Sequence, residues 1–461
     1  MADTEIHPTC RQPWSIDDCM KTWDTRLIRM TLASVIVGAM TGVVGGSFRW
    51  CLERAEQFRD KTVQWSHSDP YVGWIVPVVL ALVAVAIARL LVLKLAPAAS
   101  GSGIHRVEAI MAGEIDPAND LVLPVKFFGG LLSLGSGMAL GREGPTVQMG
   151  ASIGHMTAPW FVRENDDRRV VLAAGAGAGL AVAFNAPIGG SVFVFEELTS
   201  SFTPWLLVAT LSAATFAVGV MRWMIGNQYV FFVLPGAAPQ GRAVWFFLLL
   251  GGLLGIAGAA YNELSLKLLD LTEKFAKYPA VARAALIGAV VGLVAFFAPA
   301  LVGSGDTLTQ SILSGKVPLR ALGLVFLIRF LLGPWSYAAE TPGGMFAPLL
   351  LVGTAFGALF GGVVHHLDPN VSVSAVDFAI VGMVALFAAS VRAPLTGIVL
   401  AIEMTGRGDL TLGMLGSALG AMLVAMLLKS PPIYQSLRER MLIRERTQKA
   451  NLEVAQTTPG S

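Results

Sequence analysis

The chain repeats itself along its length, and this duplication limits the folds it can adopt more than any other feature. Residues 101–103 read Gly-Ser-Gly and return as residues 303–305, which is 202 positions later. Further matches in the same order are Ile110 and Gly113 with Ile312 and Gly315, Gly141 with Gly343, Gly150 and Gly154 with Gly353 and Gly357, and residues 185–196 with residues 392–403. Four separate segments in one order predict two structurally related halves.

Composition indicates where such a chain folds. Hydrophobic residues make up 54% of the sequence and charged residues 14%, whereas a soluble domain carries about 25% charged residues. The apolar blocks 74–93, 245–260 and 284–297 predict helices embedded in a membrane. Other apolar blocks are shorter than the roughly 20 residues that a span needs and are broken by Gly or Pro. We therefore predict an all-α integral membrane protein with many tilted and broken helices.

Duplicated halves in a membrane protein are typical of secondary transporters, whose substrate site lies near the bilayer midplane between broken helices of both halves. We accordingly expect each matched Gly/Pro segment to break a helix. The predicted division is a cytoplasmic N-terminal segment (1–27), a first membrane repeat (28–233), a linker rich in Pro and Gly (234–241), a second membrane repeat (242–435) and a cytoplasmic tail (436–461).

The distribution of charge predicts the orientation. Basic residues flank the first apolar block (Arg11, Lys21, Arg26 and Arg29) and follow the last one (Lys429, Arg438, Arg440, Arg444, Arg446 and Lys449). The positive-inside rule then places both termini in the cytoplasm. A net charge of +2 is too small to suggest nucleic-acid binding, and the 3 cysteines have no metal-binding spacing. We expect no metal site and no cofactor.

Three Gly-rich breaks precede apolar runs of helical length, at residues 101–104, 141–145 and 343–348. Helix N-termini offer free backbone N–H groups and the positive end of the helix dipole, so such breaks suit an anion inside a bilayer. For any one break alone, an ordinary loop or tight helix packing is an equally good interpretation.

Taken together, these segments resemble the motifs of the CLC family of chloride channels and chloride/proton exchangers. The motifs stand here as Gly-Ser-Gly-Ile (101–104), Gly-Arg-Glu-Gly-Pro (141–145), Gly-Met-Phe-Ala-Pro (344–348) and Tyr434. Their order and spacing agree with the family over roughly residues 28–434. The resemblance implies the CLC-type inverted-repeat fold of the bacterial type, a homodimer with a separate pathway in each subunit, and the bacterial inner membrane as the location.

The resemblance also implies an anion site, formed by the hydroxyl groups of Ser102 and Tyr434 and the backbone N–H groups of Met345 and Phe346. Residues of the motifs that would support this site are Gly101, Gly103, Ile104, Gly141, Arg142, Gly144, Pro145, Gly344 and Pro348. Neutral donors can replace part of a halide's hydration and still release the ion. Taken alone, Ser102 could be a helix N-cap and Tyr434 a membrane-interface anchor.

Two glutamates are candidates for handling protons. Glu143 lies amid apolar sequence, where a carboxylate costs about 2.5–3.5 kcal/mol on insertion scales, and the resemblance implies that it is the gate. The alternative is a structural pair with Arg142, although adjacent residues on a helix do not face each other. Glu197 matches the family's internal proton-transfer glutamate. Its neighbour Glu196 has the repeat partner Glu403, which suggests a structural role for that pair.

The resemblance, with an acid at Glu197, predicts exchange of chloride for protons across the lipid bilayer, and a passive chloride channel is the alternative. Fluoride exporters of the family typically lack the donors at Ser102 and Tyr434. An intramembrane hydrolase would need a catalytic pair in the apolar segments, and we expect no enzymatic activity.

One departure from the family pattern is His105-Arg106 in place of the usual Pro-Glu, and Arg106 could add positive charge close to the anion site.

Overall fold

The structure, a computed structural model, describes residues 16–69, 71–227, 229–234, 239 and 241–457, with side chains described between residues 25 and 447. Most of this part of the chain is helical. Its one isolated pairing of extended backbone joins Gly141 to Gly344. The all-α prediction is therefore confirmed, and the predicted blocks 74–93, 245–260 and 284–297 all fall in long helices.

In the described part of the chain, the α-helices form two series of eight in the same order, followed by one more. The first series is α1 (Ile16–Ser66), α2 (Ile75–Leu95), α3 (Ile104–Met111), α4 (Val122–Gly135), α5 (Glu143–Thr157), α6 (Asn165–Phe184), α7 (Pro187–Phe193) and α8 (Pro204–Ile225). The second is α9 (Ala243–Lys274), α10 (Ala280–Phe297), α11 (Asp306–Leu313), α12 (Leu319–Tyr337), α13 (Phe346–Leu367), α14 (Ala375–Val391), α15 (Pro394–Thr405) and α16 (Thr411–Leu427). The last helix is α17 (Ile433–Thr457).

Packing repeats along with the order of the helices. In each series the first helix packs against the eighth and the fifth against the sixth. Between the series, α2 packs against α10 and α7 against α15. Each helix of these two pairs therefore meets its own repeat counterpart across the molecule, as expected for two related halves assembled face to face.

Among the described residues, eight helices are long and apolar enough to cross a membrane, judged by length and composition. Their outward faces carry large apolar side chains such as Leu286, Leu423 and Trp245, which are 66%, 60% and 72% exposed. Such faces suit contact with lipid hydrocarbon, and all-helical segments satisfy their own backbone hydrogen bonds there. The chain is an integral membrane protein.

The predicted helix breaks are present before α3, α5, α11 and α13, but the prediction is wrong for one matched set. Gly150 and Gly154 lie inside α5, and Gly353 and Gly357 lie inside α13. A side chain at Gly150 would overlap the carbonyl group of Gly175 on α6, and the other three glycines face neighbouring backbone in the same way. Small residues one turn apart let two membrane helices approach closely, so these glycines serve packing.

The boundaries of the predicted halves stay a prediction. The limit at residues 27 and 28 falls inside α1, and the limit at residues 435 and 436 falls inside the first turn of α17. Parts of the predicted scheme lie outside the residues or side chains that the structure describes: residues 1–15, linker residues 235–238 and 240, and the side chains of Cys10, Arg11, Cys19, Lys21 and Lys449.

Candidate anion and proton site

Glycine loops from distant parts of the chain meet at the centre of the protein. The N–H group of Gly343 donates to the carbonyl oxygen of Gly101 at 3.1 Å. Gly141 and Gly344 exchange two backbone hydrogen bonds, of 2.7 and 2.8 Å. Since these loops lead directly into α3, α5 and α13, the hydrogen bonds bring three helix N-termini from both halves to one place.

The motif residues take up the positions that such loops require. Gly101 and Gly103 have φ angles of +61° and +87°, which glycine adopts more readily than any other residue. Ile104 begins α3 and is fully buried. Pro145 and Pro348 are the third residues of α5 and α13, where the missing N–H group costs no hydrogen bond within the helix.

The helix starts leave backbone donors free. No backbone acceptor in the described part of the chain takes the N–H groups of Met345 or Phe346, and both residues are fully buried. The first N–H groups of a helix have no partner within it and carry the positive end of the dipole. The start of α13 therefore offers donors and positive potential without a full charge.

The carboxylate of Glu143 lies among these helix starts. Its side chain is 1% exposed and its Oε2 atom has no hydrogen-bond partner among the described residues. The carboxylate packs over Gly141 and lies next to the backbone N–H group of Ala347. Any side chain at position 141 would overlap it. Glu143 thus directs its charge to the start of α13, where an anion would also be attracted.

Arg142 does not pair with Glu143. Its guanidinium lies 3.2 Å from a carboxylate oxygen of Asp306 at the start of α11 and donates to the carbonyl oxygen of Ala183. Asp306 lines a cavity of 190 Å³ together with Glu56, Arg59, Asp60 and the loop 303–305. The structural alternative for Glu143 is therefore wrong, because the charge of Arg142 is directed to another carboxylate.

Ser102 and Tyr434 are both fully buried, and neither hydroxyl has a hydrogen-bond partner among the described residues. A side chain at Gly144 would come within 2.5 Å of the Ser102 Oγ atom, so α5 begins directly beside this serine. Tyr434 lies in the first turn of α17 and is within electrostatic reach of Glu143. Burial argues against the alternative that Tyr434 is an interface anchor, and the absence of a cap bond argues against Ser102 as an N-cap.

The sequence interpretation missed a buried lysine beside this site. Lys126 on α4 is fully buried, and its Nζ atom donates to the carbonyl oxygens of Gly101 and Ser102 at 2.6 and 3.1 Å. Its repeat counterpart is Arg329 on α12, also fully buried, which donates to the carbonyl oxygens of Leu301, Gly303 and Ser304. A cation in an apolar membrane helix was the available signal.

Glu197 lies apart from the central loops, on a π-helical turn at Val194–Leu198. Together with Glu108 and Arg438 it lines a cavity of 310 Å³. Glu108 is the nearest charged group that acts on the Glu197 carboxyl, and its own Oε1 atom has no hydrogen-bond partner among the described residues. Glu108 was also missed, although an acid in the short apolar helix α3 could have indicated it. Tyr434 is an electrostatic neighbour of Glu197 as well as of Glu143, so the tyrosine lies within electrostatic reach of both candidate proton groups.

Glu196 and Glu403 have a reciprocal structural role, which confirms the prediction from the repeat. The Glu196 carboxylate accepts from the N–H groups of Leu395 and Thr396 at the start of α15, at 3.0 and 2.6 Å. Glu403 accepts from the N–H groups of Ile188 and Gly189 at the start of α7, at 3.2 and 2.6 Å. Each acid thus caps the helix of the other half.

Arg106 does not supply free positive charge to the central loops. Its guanidinium lies 2.5 Å from the Glu445 carboxylate of α17, so the added charge is neutralised by an ion pair. His105 is half-buried, and its Nδ1 atom has no partner in the described part of the chain. The suggestion that Arg106 strengthens anion attraction is therefore not supported.

Residues 150–154 have the Gly-x-Ser-x-Gly spacing of some hydrolases. That motif requires a sharp turn between a strand and a helix, but here the segment is the middle of α5 and Ser152 donates to the carbonyl oxygen of Gln148 at 2.9 Å. The described residues also contain no group of three or more His, Cys, Asp or Glu side chains that could hold a metal ion.

Repeated halves, helices broken near the centre, and helix N-termini that meet around a buried carboxylate define a membrane transport protein of the inverted-repeat class. Residues 84–426 match the family model described as voltage gated chloride channel. The chain belongs to this family, the CLC family.

Curated relatives and solved structures agree with this assignment. The chain is 39% identical over 433 residues to the H(+)/Cl(-) exchange transporter ClcA of Vibrio parahaemolyticus, covering 91% of each chain. It is 35% identical to ClcA of Salmonella typhimurium, covering 93% of this chain and 92% of that one. A slow cyanobacterial Cl-/H+ antiporter has a similar structure, with a TM-score of 0.86, 35% identity and coverage of 91% and 99%. A CLC-type fluoride/proton antiporter, at 20% identity and a TM-score of 0.74, shares the fold.

Proposed function

We propose that this protein exchanges chloride for protons across the membrane, with Glu143 as the gate that alternates with the anion. The observation that carries the proposal is the position of the Glu143 carboxylate, which lies buried beside the start of α13 and close to the Ala347 N–H group. A carboxylate and a chloride ion can compete for the same donors. Protonation removes the charge of the carboxylate and releases those donors to the anion.

In this proposal the anion is held by the Ser102 and Tyr434 hydroxyls and by the N–H groups of Met345 and Phe346. The support is that these groups are fully buried and that the two hydroxyls have no partner among the described residues. Burying unpaired polar groups costs free energy, which an anion that accepts from them would offset. The remaining motif residues support the site by shaping its loops.

Protons would reach Glu143 by way of Glu197. The cavity beside Glu197, Glu108 and Arg438 provides room for water at this carboxyl group. An acid at this position favours exchange over a passive channel, because a channel has no need to deliver protons inward. The names of the ClcA relatives and of the cyanobacterial antiporter favour exchange as well.

Further parts of the proposal rest on the family resemblance. We infer a transporter without enzymatic activity, acting as a homodimer in the bacterial inner membrane with both termini in the cytoplasm. The halves are proposed to comprise residues 28–233 and 242–435, joined by the linker 234–241. Light scattering of the protein in detergent, with the mass of the detergent subtracted, gives the molar mass of the protein and tests the dimer. The mass of a monomer would contradict it.

The function is tested by reconstituting the purified protein in liposomes and recording chloride and proton movement together with two electrodes. A chloride gradient should drive protons uphill in the opposite sense until an ionophore collapses the gradient. Liposomes without protein are the control. Chloride movement without any proton movement would contradict exchange and support the channel alternative, and the absence of both would contradict the proposed substrate.

A further inference from the structure

A third hydroxyl group lies beside Ser102 and Tyr434. Tyr337 is the last residue of α12 and is 4% exposed. Its hydroxyl oxygen lies 3.5 Å from the Ser102 nitrogen and packs against Gly101. It is also an electrostatic neighbour of the Tyr434 hydroxyl. The Tyr337 hydroxyl therefore lies at the Ser102 loop and within electrostatic reach of the Tyr434 hydroxyl.

The hydrogen-bond pattern leaves the Tyr337 proton without a protein acceptor. A phenolic oxygen can accept one hydrogen bond and donate another, and this oxygen accepts from the Ser102 N–H group. In the described part of the chain, no acceptor takes the Tyr337 O–H group. The Ser102 and Tyr434 hydroxyls are likewise without partners, so the three groups do not satisfy one another.

The neighbouring oxygens that could take this proton are engaged elsewhere. The carbonyl oxygen of Gly101 accepts from Lys126 at 2.6 Å and from the Gly343 N–H group at 3.1 Å. The Glu340 carboxylate, which follows at the end of α12, is paired with Arg89 at 2.5 Å and with Arg444 at 2.8 Å. Because donors converge here and acceptors are occupied, the loop is suited to a ligand that only accepts hydrogen bonds.

We propose that Tyr337 is a third hydroxyl ligand of the central anion site, accepting from the Ser102 N–H group while donating to a small monovalent anion. The inference rests on the proposed function, because it assigns one more ligand to that site. Phenylalanine would fill the same volume without burying an unpaired hydroxyl. Three O–H donors around one point suit a compact, spherical ion such as chloride better than planar nitrate.

Tyr337→Phe tests the inference, because it removes the hydroxyl and keeps the ring. We expect chloride affinity, measured by isothermal titration calorimetry in detergent, to fall by roughly tenfold, the size expected for one lost hydrogen bond to a charged ligand. The ratio of chloride to nitrate flux should fall as well. Tyr261→Phe is the matched control: Tyr261 on α9 is fully buried, its hydroxyl has no partner among the described residues, and its ring packs on Phe330. Its affinity and flux ratio should equal those of the wild type.

Tyr434→Phe separates the possible failures. If Tyr434→Phe weakens chloride binding and Tyr337→Phe does not, Tyr337 is not a ligand and the proposed function stands. If neither variant changes the affinity, the central site itself is wrong and the inference is overturned with it. A double-mutant cycle with Ser102→Ala gives a second measurement. Two ligands of one ion should give effects that do not add, whereas additive effects would count against a shared ion.

Discussion

At the scale of single residues, the protein places a few polar groups where an apolar environment makes each one costly. Glu143 and Tyr434 are essentially inaccessible, and the Glu143 Oε2 atom and the Tyr434 hydroxyl have no hydrogen-bond partner among the described residues. Such groups persist in a membrane protein when a ligand or a proton uses them. The candidate mechanism therefore depends on individual carboxyl and hydroxyl groups, and each can be tested by removing one group.

Replacing Glu143 by Ala should uncouple the two ions. The substitution removes both the competitor for the anion donors and the proton carrier. We expect chloride flux to persist, proton movement against a gradient to disappear, and flux to become nearly independent of external pH. Dual-electrode recording on liposomes measures all three. Glu263→Ala is the control, because Glu263 is exposed on α9 and pairs only with Lys267 in the described part of the chain. If Glu143→Ala still pumps protons uphill, the gate assignment is wrong.

Glu197→Gln should reduce proton movement sharply while leaving much of the chloride flux. Glutamine keeps the size and polarity of the side chain but cannot titrate. The adjacent Glu196→Gln is a matched control, since Glu196 caps α15 and does not line the cavity. It should lower thermal stability and keep the proton-to-chloride ratio. Full proton coupling in Glu197→Gln would contradict the assignment and require another proton route.

At the scale of elements, each half fixes its Gly-Ser-Gly loop with one buried cation from its fourth helix. Lys126 of α4 and Arg329 of α12 are 203 residues apart, close to the repeat offset. Both donate only to backbone carbonyl oxygens, and no carboxylate pairs with either in the described part of the chain. Their shared role is to hold a loop whose glycines cannot fix their own conformation.

Lys126→Met should destabilise the protein and weaken chloride binding together. Loss of the charged donor to two buried carbonyl groups should lower the free energy of unfolding by about 1–3 kcal/mol. Lys126→Arg should recover part of the loss, because the second half uses arginine at the equivalent place. Thermal melting and chloride titration in detergent measure both effects. Lys267→Met, on the exposed face of α9, is the control. Wild-type chloride affinity in Lys126→Met would show that the loop is fixed by other contacts.

At the scale of the whole molecule, ion pairs join α17, the helix that carries Tyr434, to the first half. Arg106 on α3 pairs with Glu445, and Arg438 lies 2.7 Å from Glu114 just beyond α3. The hydrogen bond from Arg438 lowers the pKa of the Glu114 carboxyl from its usual value. These pairs hold the start of α17 close to the Ser102 loop.

A charge swap tests this connection. Arg106→Glu and Glu445→Arg should each lower the apparent melting temperature by about 1–3 °C, since a partly exposed pair contributes up to about 1 kcal/mol. The double variant should recover most of the loss, and the differences should shrink at high salt because ions screen such pairs. Additive losses in the double variant would show that the two side chains do not interact in the protein.

The sequence by itself determined the environment, the repeat and the chemistry of the motifs. Scarcity of charge predicted the membrane, and the offset of 202 residues predicted two equivalent series of helices. The repeat also distinguished Glu196, whose counterpart is Glu403, from Glu197, whose matching position is Met404. These features are readable because composition and spacing along the chain are local properties. The matched glycines inside α5 and α13 show what the sequence could not decide. Glycine occurs both where a helix breaks and where two helices pack closely, so its position alone does not tell which of the two it serves.

Only the tertiary structure decided which side chains meet. Ser102 and Tyr337 are 235 residues apart, and Arg106 and Glu445 are 339 residues apart. Helical periodicity gives the face on which a side chain lies but not the helix that faces it. The packing of the elements decides that Lys126 reaches the Ser102 loop and that Glu108 and Glu197 line one cavity. It also decides that Glu196 and Glu403 each cap a helix of the other half. The packing of one repeat against the other therefore completed the site whose motifs the sequence had supplied.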